Sequence, residues 1–165
     1  MLEGGNYLPR KHQSMLINLF DLQAITVEDL MVPRNKIEAI ELNSPIEKIR
    51  SEIITSNHTR LPVFKGNPDE IVGVIHLRKL LNVSEDNQIT IESIEQILRE
   101  PYYIPKDTNL LTQLQNFQER HERIAYIVDE YGDLMGLITI EDIIEEIVGE
   151  FTTQSPLFTS SAKQM

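Results

Sequence analysis

Cysteine is absent from this 165-residue chain. That excludes disulfides, thiolate metal sites, iron–sulfur ligation and cysteine nucleophiles, and it fits a reducing compartment. Basic residues are scarce. Fifteen Lys and Arg face 26 Asp and Glu, for a formal net charge of −11. Such a surface repels a phosphate backbone, so nucleic acid is not an expected partner. Long apolar runs are missing too. No stretch of about 18 apolar residues occurs, so no segment is long enough to span a bilayer as a helix. The first ten residues show no basic stretch followed by an apolar one, the pattern of a signal peptide. Catalytic signatures are also lacking. There is no Gly-x-Ser-x-Gly, no Gly-rich phosphate loop ending in Lys-Ser/Thr and no His-Glu-x-x-His. His12, His58, His76 and His121 are scattered at no ligand spacing. No catalytic or metal-ligating residue is nominated, and the chain is not expected to be an enzyme.

What is present suits a globular protein: 41% hydrophobic and 25% charged residues. The length predicts one domain or two small ones. The start opens abruptly on Gly4-Gly5, and residues 152–165 are rich in Ser, Thr and Gln with little to bury. These features suggest a soluble piece of a longer protein, with a flexible tail over 152–165.

Met15, Leu16, Leu19, Phe20 and Leu22 recur at helical spacing, which predicts an amphipathic helix over Arg10 to Leu22. Thr26-Val27-Glu28-Asp29 reads as a capped helix start that runs to Pro33. Ile37, Ala39, Ile40 and Leu42 suggest a short strand. Ser44-Pro45 with Glu47 predicts the next helix, with Ser44 as N-cap and Ile46, Ile49, Ile53 and Ile54 as its buried stripe. Leu61 to Phe64 and Ile71 to Ile75 read as strands joined by a turn at 66–69, and Leu77 to Leu81 as a short helix.

The pattern then repeats. Arg60 and Arg123 each precede a strand, and Gly73 and Gly136 each sit inside the strand that follows, both pairs 63 residues apart. Thr90-Ile91-Glu92 echoes Thr26-Val27-Glu28, and Asp107-Thr108 echoes Ser44-Pro45. Two copies of so long a period are not a solenoid. They predict an α/β fold of two β-α-β-β-α units, about Thr26 to Val83 and Thr90 to Glu150. Sixty residues bury only a marginal core, so the two are expected to pack through their sheets.

The segment Gly136 to Asp142 ends a strand and places a hydroxyl, Thr139, three residues before a carboxylate, Asp142. One reading is a capping box at a helix start. The same geometry also suits a nucleotide, since a helix N-terminus offers amide hydrogens to phosphate and a carboxylate accepts ribose hydroxyls. Arg60 is either a surface arginine or, if its strand end faces the Thr139 turn, a bidentate phosphate ligand. The first copy has His76 and Lys79 where the second has Thr139 and Asp142. With one ribose-type carboxylate, one nucleotide site per chain is expected. The carboxylates Glu141, Asp142, Glu145, Glu146 and Glu150 read as a solvated helix face rather than a cation site.

These residues carry a family likeness. Gly-Leu-Ile-Thr-Ile-Glu-Asp at 136–142 and Thr-Arg-Leu-Pro-Val-Phe at 59–64 resemble a tandem pair of CBS domains. The runs at 27–34, 128–133 and 147–150 are similar to the CorB/CorC (hemolysin-like, CNNM-related) magnesium and cobalt transport family. The resemblance spans about residues 8–153. It implies a connector segment at 1–24, CBS repeats at 25–84 and 85–151, and a tail at 152–165. It also implies a regulatory module at the cytoplasmic face of a membrane, binding ATP (or AMP or ADP), usually with magnesium. Pro33, Lys36, Ile37 and Glu38 would hold the adenine, with Leu137 lining the base pocket. Thr139 and Asp142 would hold the phosphate–ribose region, and Arg60 a phosphate. Its implied partners are a second copy of the chain, in a homodimer, and a transmembrane domain. Two alternatives stay open: a dimerisation scaffold with a vestigial pocket, and a sensor of divalent cations or another ligand.

Overall fold

The computed structural model describes residues 22–153. The helix expected over Arg10 to Leu22 and the tail expected over 152–165 lie outside it except at their inner ends. Leu22 is fully buried, and Thr153 closes the last helix.

A short helix, α1 (Val27–Leu30), opens at Thr26, whose backbone N–H and hydroxyl both donate to Asp29 Oδ2, at 2.9 and 3.2 Å. Strand β1 (Val32–Pro33) follows, because the residue before a proline is held extended. After a 3-10 turn at Arg34–Lys36 come β2 (Ile40–Glu41), α2 (Ile46–Thr55), β3 (Arg60–Phe64), β4 (Ile71–His76) and α3 (Leu77–Val83). The second half repeats the order: α4 (Ile91–Ile97), β5 (Tyr103–Pro105), α5 (Leu110–Arg120), β6 (Ile124–Val128), β7 (Leu134–Thr139) and α6 (Ile140–Thr153). Both halves therefore contain the expected β-α-β-β-α unit. In each, a helix makes the crossover between two parallel strands, β2 with β3 and β5 with β6. An antiparallel hairpin then adds β4 or β7, with a register shift at the same place in both, Val63/Phe64 and Ile127/Val128.

The sequence copies are not the packing units. Each copy's opening helix packs on the other copy's core. Val27 of α1 is buried with Ile104, Leu110, Phe117, Ile138 and Ile143 of the second half. Ile94 of α4 is buried with Ile49, Ile53, Ile75 and Leu80 of the first. The backbone follows the same exchange. β1 joins the edge of the second sheet, whose order is β1-β7-β6-β5, with Val32 opposite Leu137 and Pro33 opposite Gly136. In the other direction, Val74 and Arg99 exchange two backbone hydrogen bonds of 2.9 and 3.0 Å. A third apolar cluster, including Ile71, Val74, Ile124, Tyr126 and Leu137, joins the two halves.

Four local expectations are corrected. Ser44 does not cap α2. Pro45 occupies the cap position with an extended ψ of 142°, which leaves Ser44 one residue too far out. Ile54 is 77% exposed, whereas Ile49 and Ile53 are buried. At 3.6 residues per turn it lies about 100° round the helix from Ile53, off the buried face. The strand expected from Ile37 is confined to Ile40–Glu41, because the 3-10 turn takes up the chain before it. α5 begins later than Asp107-Thr108, capped by Asn109, whose Oδ1 accepts from the N–H groups of Leu111 and Thr112 at 2.9 and 3.3 Å.

The two crossings explain the paired glycines. A Cβ on Gly136 would collide with the Val32 carbonyl oxygen and lie 2.8 Å from Met31 Sδ. A Cβ on Gly73 would lie 2.5 Å from Leu98 Cγ and 2.7 Å from the Arg99 carbonyl oxygen. The obstacle in each case includes backbone, which cannot swing aside. Gly136→Ala is therefore expected to destabilise the chain by about 1–3 kcal/mol, the usual cost of overpacking. Urea denaturation checks this, and an unchanged midpoint would show that β1 does not press on β7.

Candidate functional site

The first crossing opens a cleft of about 430 Å³ between the halves. Its apolar wall is Val32, Ile37, Pro62, Ile124 and Leu137. Ile37 follows directly on the 3-10 turn that succeeds β1. Ile124 and Thr139 are brought together by register, since they stand opposite each other in β6 and β7. Arg60 begins β3 opposite His76 and reaches the same cleft from the other sheet.

Thr139 and Asp142 form the capping box at the start of α6. The Asp142 N–H donates to Thr139 Oγ1 at 3.1 Å, and the Thr139 N–H donates to Asp142 Oδ2 at 3.3 Å. The structural reading of this pair is thus correct, and it does not exclude the other. Both residues line the cleft, and the box engages Oδ2 of the carboxylate.

Seven of the eight residues nominated from sequence, Lys36, Ile37, Glu38, Arg60, Leu137, Thr139 and Asp142, line this one cavity. Pro33 does not. It lies exposed in β1 against Gly136. Successive strand residues face opposite sides, so its neighbour Val32 takes the wall. Sequence reasoning missed Val32, Ile124, His58, Thr59, Glu141 and Glu145. Adjacency to Arg60 was a signal for His58 and Thr59. Glu141 and Glu145, assigned above to a solvated face, are exposed but stand one turn apart on the side of α6 that borders the cleft.

The electrostatics are unusual for an anion site. Lys36 and Arg60 face four lining carboxylates, Glu38, Glu141, Asp142 and Glu145. Glu141 lies 3.9 Å from Arg60 and 3.4 Å from Arg123, and Glu38 lies 3.4 Å from His58 Nε2. The Arg60 side chain is 23% exposed. Burial draws its guanidinium below the usual arginine range, the nearby Arg123 and Arg99 add to this, and Glu141 opposes it. Among the described residues, no three His, Asp or Glu side chains form a group able to hold a metal. The cleft thus combines an apolar slot suited to a flat ring, a hydroxyl and carboxylate at a helix start, and one half-sheltered cation.

Residues 27–86 and 91–149 each match the CBS domain. The chain belongs to the CBS domain family. Its pair of CBS repeats is of the CorC/CNNM type. The chain is 30% identical to the CBS domain of a bacterial CNNM/CorC family Mg2+ transporter in complex with ATP, with a TM-score of 0.74, covering 86% of this chain and 99% of that one. It is 36% identical to a CBS-domain pair with bound AMP from Klebsiella pneumoniae, with a TM-score of 0.70 and coverage of 76% and 99%. It is 37% identical to the UPF0053 inner membrane protein YfjD of Escherichia coli over 92% of this chain, and spans 36% of that relative's length. No helix among the described residues of the CBS pair is long and apolar enough to cross a membrane.

Proposed function

We propose that this CBS pair binds one adenine nucleotide per chain, as its magnesium complex, and regulates the membrane part of a magnesium or cobalt transport protein from the cytoplasmic face. The observation that carries the reading is the meeting of Ile37, Leu137, Thr139, Asp142 and Arg60 in one cleft. Ile37 and Leu137 sandwich the base. The Asp142 carboxylate accepts from the ribose hydroxyls, and Arg60 with the Thr139 hydroxyl holds phosphate oxygens. The ATP and AMP complexes of similar CBS domains support the ligand class. The inner-membrane relative supports the setting. The role is regulatory, not enzymatic. Regulation is linkage: a nucleotide that prefers one arrangement of the halves shifts the population toward it. The reading includes a homodimer, for which Ile144 and Val148, both about half exposed and one turn apart on α6, offer an apolar face.

The charge balance supports magnesium. Four carboxylates beside two cations oppose a polyanion, and a divalent cation held by phosphate oxygens offsets that repulsion without needing a protein cage. Lys36 and Glu38 make backbone rather than side-chain contacts to the base in this reading.

Asp142→Ala is expected to weaken ATP binding by about 1.5–3 kcal/mol, the contribution of hydrogen bonds to a charged acceptor. Asp142→Asn, which keeps an acceptor for the helix cap, separates this loss from misfolding. Calorimetry provides the check, and unchanged affinity in both folded variants places the nucleotide elsewhere.

ATP is further expected to bind more tightly with millimolar magnesium than with a chelator at matched ionic strength, since screening alone reduces repulsion. Arg60→Leu should weaken ATP more than adenosine. Equal ATP affinity with and without magnesium would leave a generic adenine-nucleotide pocket.

A further inference from the structure

His58 is the one histidine among the residues that line the first cleft. It lies in the loop between α2 and β3. Its backbone N–H donates to Ser56 Oγ at 3.1 Å, and the Thr59 carbonyl accepts from the Leu77 N–H at 2.9 Å, so the loop is held on both sides of it. The His58 Nε2 stands 3.4 Å from Glu38 Oε2 of the 34–38 turn, and both side chains are more than half exposed. His58 is the one ion-pair partner of Glu38 among the described residues. Histidine is the side chain whose charge ordinarily changes between about pH 5 and 8. Side-chain carboxylates in general stay ionised over that interval.

Carboxylates outnumber cations around this ring. The turn brings Lys36 and Glu38 to the cleft, β3 brings Arg60, and α6 brings Glu141, Asp142 and Glu145. From α2, Glu52 lines an adjoining hollow with Glu38 and pairs with Lys48 at 3.9 Å. The four lining carboxylates are not equally engaged. Glu141 is shared by Arg60 and Arg123, and Asp142 caps α6. Glu38 has His58 alone. The charge on His58 thus decides whether two or three cations face the four carboxylates. His76 and His121 line a separate cavity of about 220 Å³, where residues 98–99 cross β4. Burial foremost, and then Arg60, Lys79 and Arg78, hold the His76 imidazole below its usual pKa, which favours its neutral form.

We propose that His58 couples nucleotide binding in the first cleft to proton uptake: with its ring protonated, the cleft holds a phosphate-bearing nucleotide more tightly, and affinity rises as pH falls. The proposal rests on the reading of this cleft as the nucleotide site and adds a regulation of that site. Its sign follows from charge. A protonated ring adds a third cation to the wall and engages Glu38, the carboxylate that no other cation holds. Both effects reduce the repulsion a polyanion meets there. Linkage is reciprocal, so a nucleotide that prefers the protonated cleft raises the proton affinity of the ring by the same factor.

Magnesium–ATP is titrated into the full chain by calorimetry at about pH 8 and about pH 5.5, the interval over which a histidine ordinarily gains its proton, with ionic strength fixed and magnesium in excess. Affinity is expected to be about two- to fivefold higher at the lower pH, the range of an exposed charge interaction. His58→Gln retains any protonation of the ligand itself, and there the ratio between the two pH values should be smaller by that factor. Adenosine should change by less than about twofold, because it carries no charge for the ring to attract. By NMR, the His58 ring resonance, identified by its loss in His58→Gln, should titrate at higher pH in the magnesium–ATP complex than in the free chain. The linkage is overturned if the affinity ratio is the same in the native chain and in His58→Gln, or if the nucleotide leaves the ring's titration unmoved or moves it down. Those two results leave the nucleotide reading standing. Absence of ATP binding at both pH values overturns that reading and the linkage with it.

Discussion

The structure depends on two backbone crossings. At each, a segment from one half lies so close over the last strand of the other that only glycine fits beneath it. Gly136 lies under the Val32 carbonyl, and Gly73 under the Leu98 side chain and the Arg99 carbonyl. The crossings let α1 and α4 trade cores, so each half completes the other. A 60-residue unit buries too little surface to be more than marginally stable alone. The exchange makes separation of the halves a loss of two cores and not only of the interface around Tyr126. Both clefts follow from it, because the crossing segment leaves the strand it covers and the gap beneath has walls from both halves.

One backbone plan thus makes two clefts, and side chains at matched positions set their charge. Sixty-three residues separate Lys36 from Arg99, His58 from His121, Arg60 from Arg123, His76 from Thr139, and Lys79 from Asp142. The last two pairs decide the difference. A threonine and an aspartate give the first cleft a capped helix start with a carboxylate, and a histidine and a lysine line the second. Glu141 adds to the asymmetry, since it sits between Arg60 and Arg123. Arg60 lines both cavities, so the one arginine lining the first cleft also borders the second.

Much of this was legible in the sequence. The 63-residue offset gave the two-unit architecture, and the strand alternation around Gly73 and Gly136 located both hairpins. The capping box at Thr139 and Asp142 was readable because it depends only on local spacing. The exchange of α1 and α4 was not readable. A short apolar helix shows by its periodicity that it has a buried face, but not which core receives it. Pro33 lies off the cleft lining for a related reason. In a two-residue strand the face of each residue is set by its partner, and pairing with Gly136 turns Val32 to the cleft. Glu141 and Glu145 share helical spacing with exposed residues, and only the neighbouring sheet edge makes their side of α6 the cleft border.

The walls of the first cleft come from three pieces that meet only through the crossings: the 34–38 turn, the start of β3, and the junction of β7 with α6. A ligand touching all three is a tie between the halves. At a hundred times its dissociation constant, a ligand that requires the assembled cleft adds about 2.7 kcal/mol to the folded arrangement. That is comparable to the cost of a badly placed methyl group at Gly136. Ligand occupancy and the packing at the glycine are therefore energies of the same order acting on the same contact. The 34–38 turn follows directly from α1 and β1, and Leu22 just before them is fully buried. A ligand shifts the arrangement of the halves only by as much as it binds one arrangement better than the other.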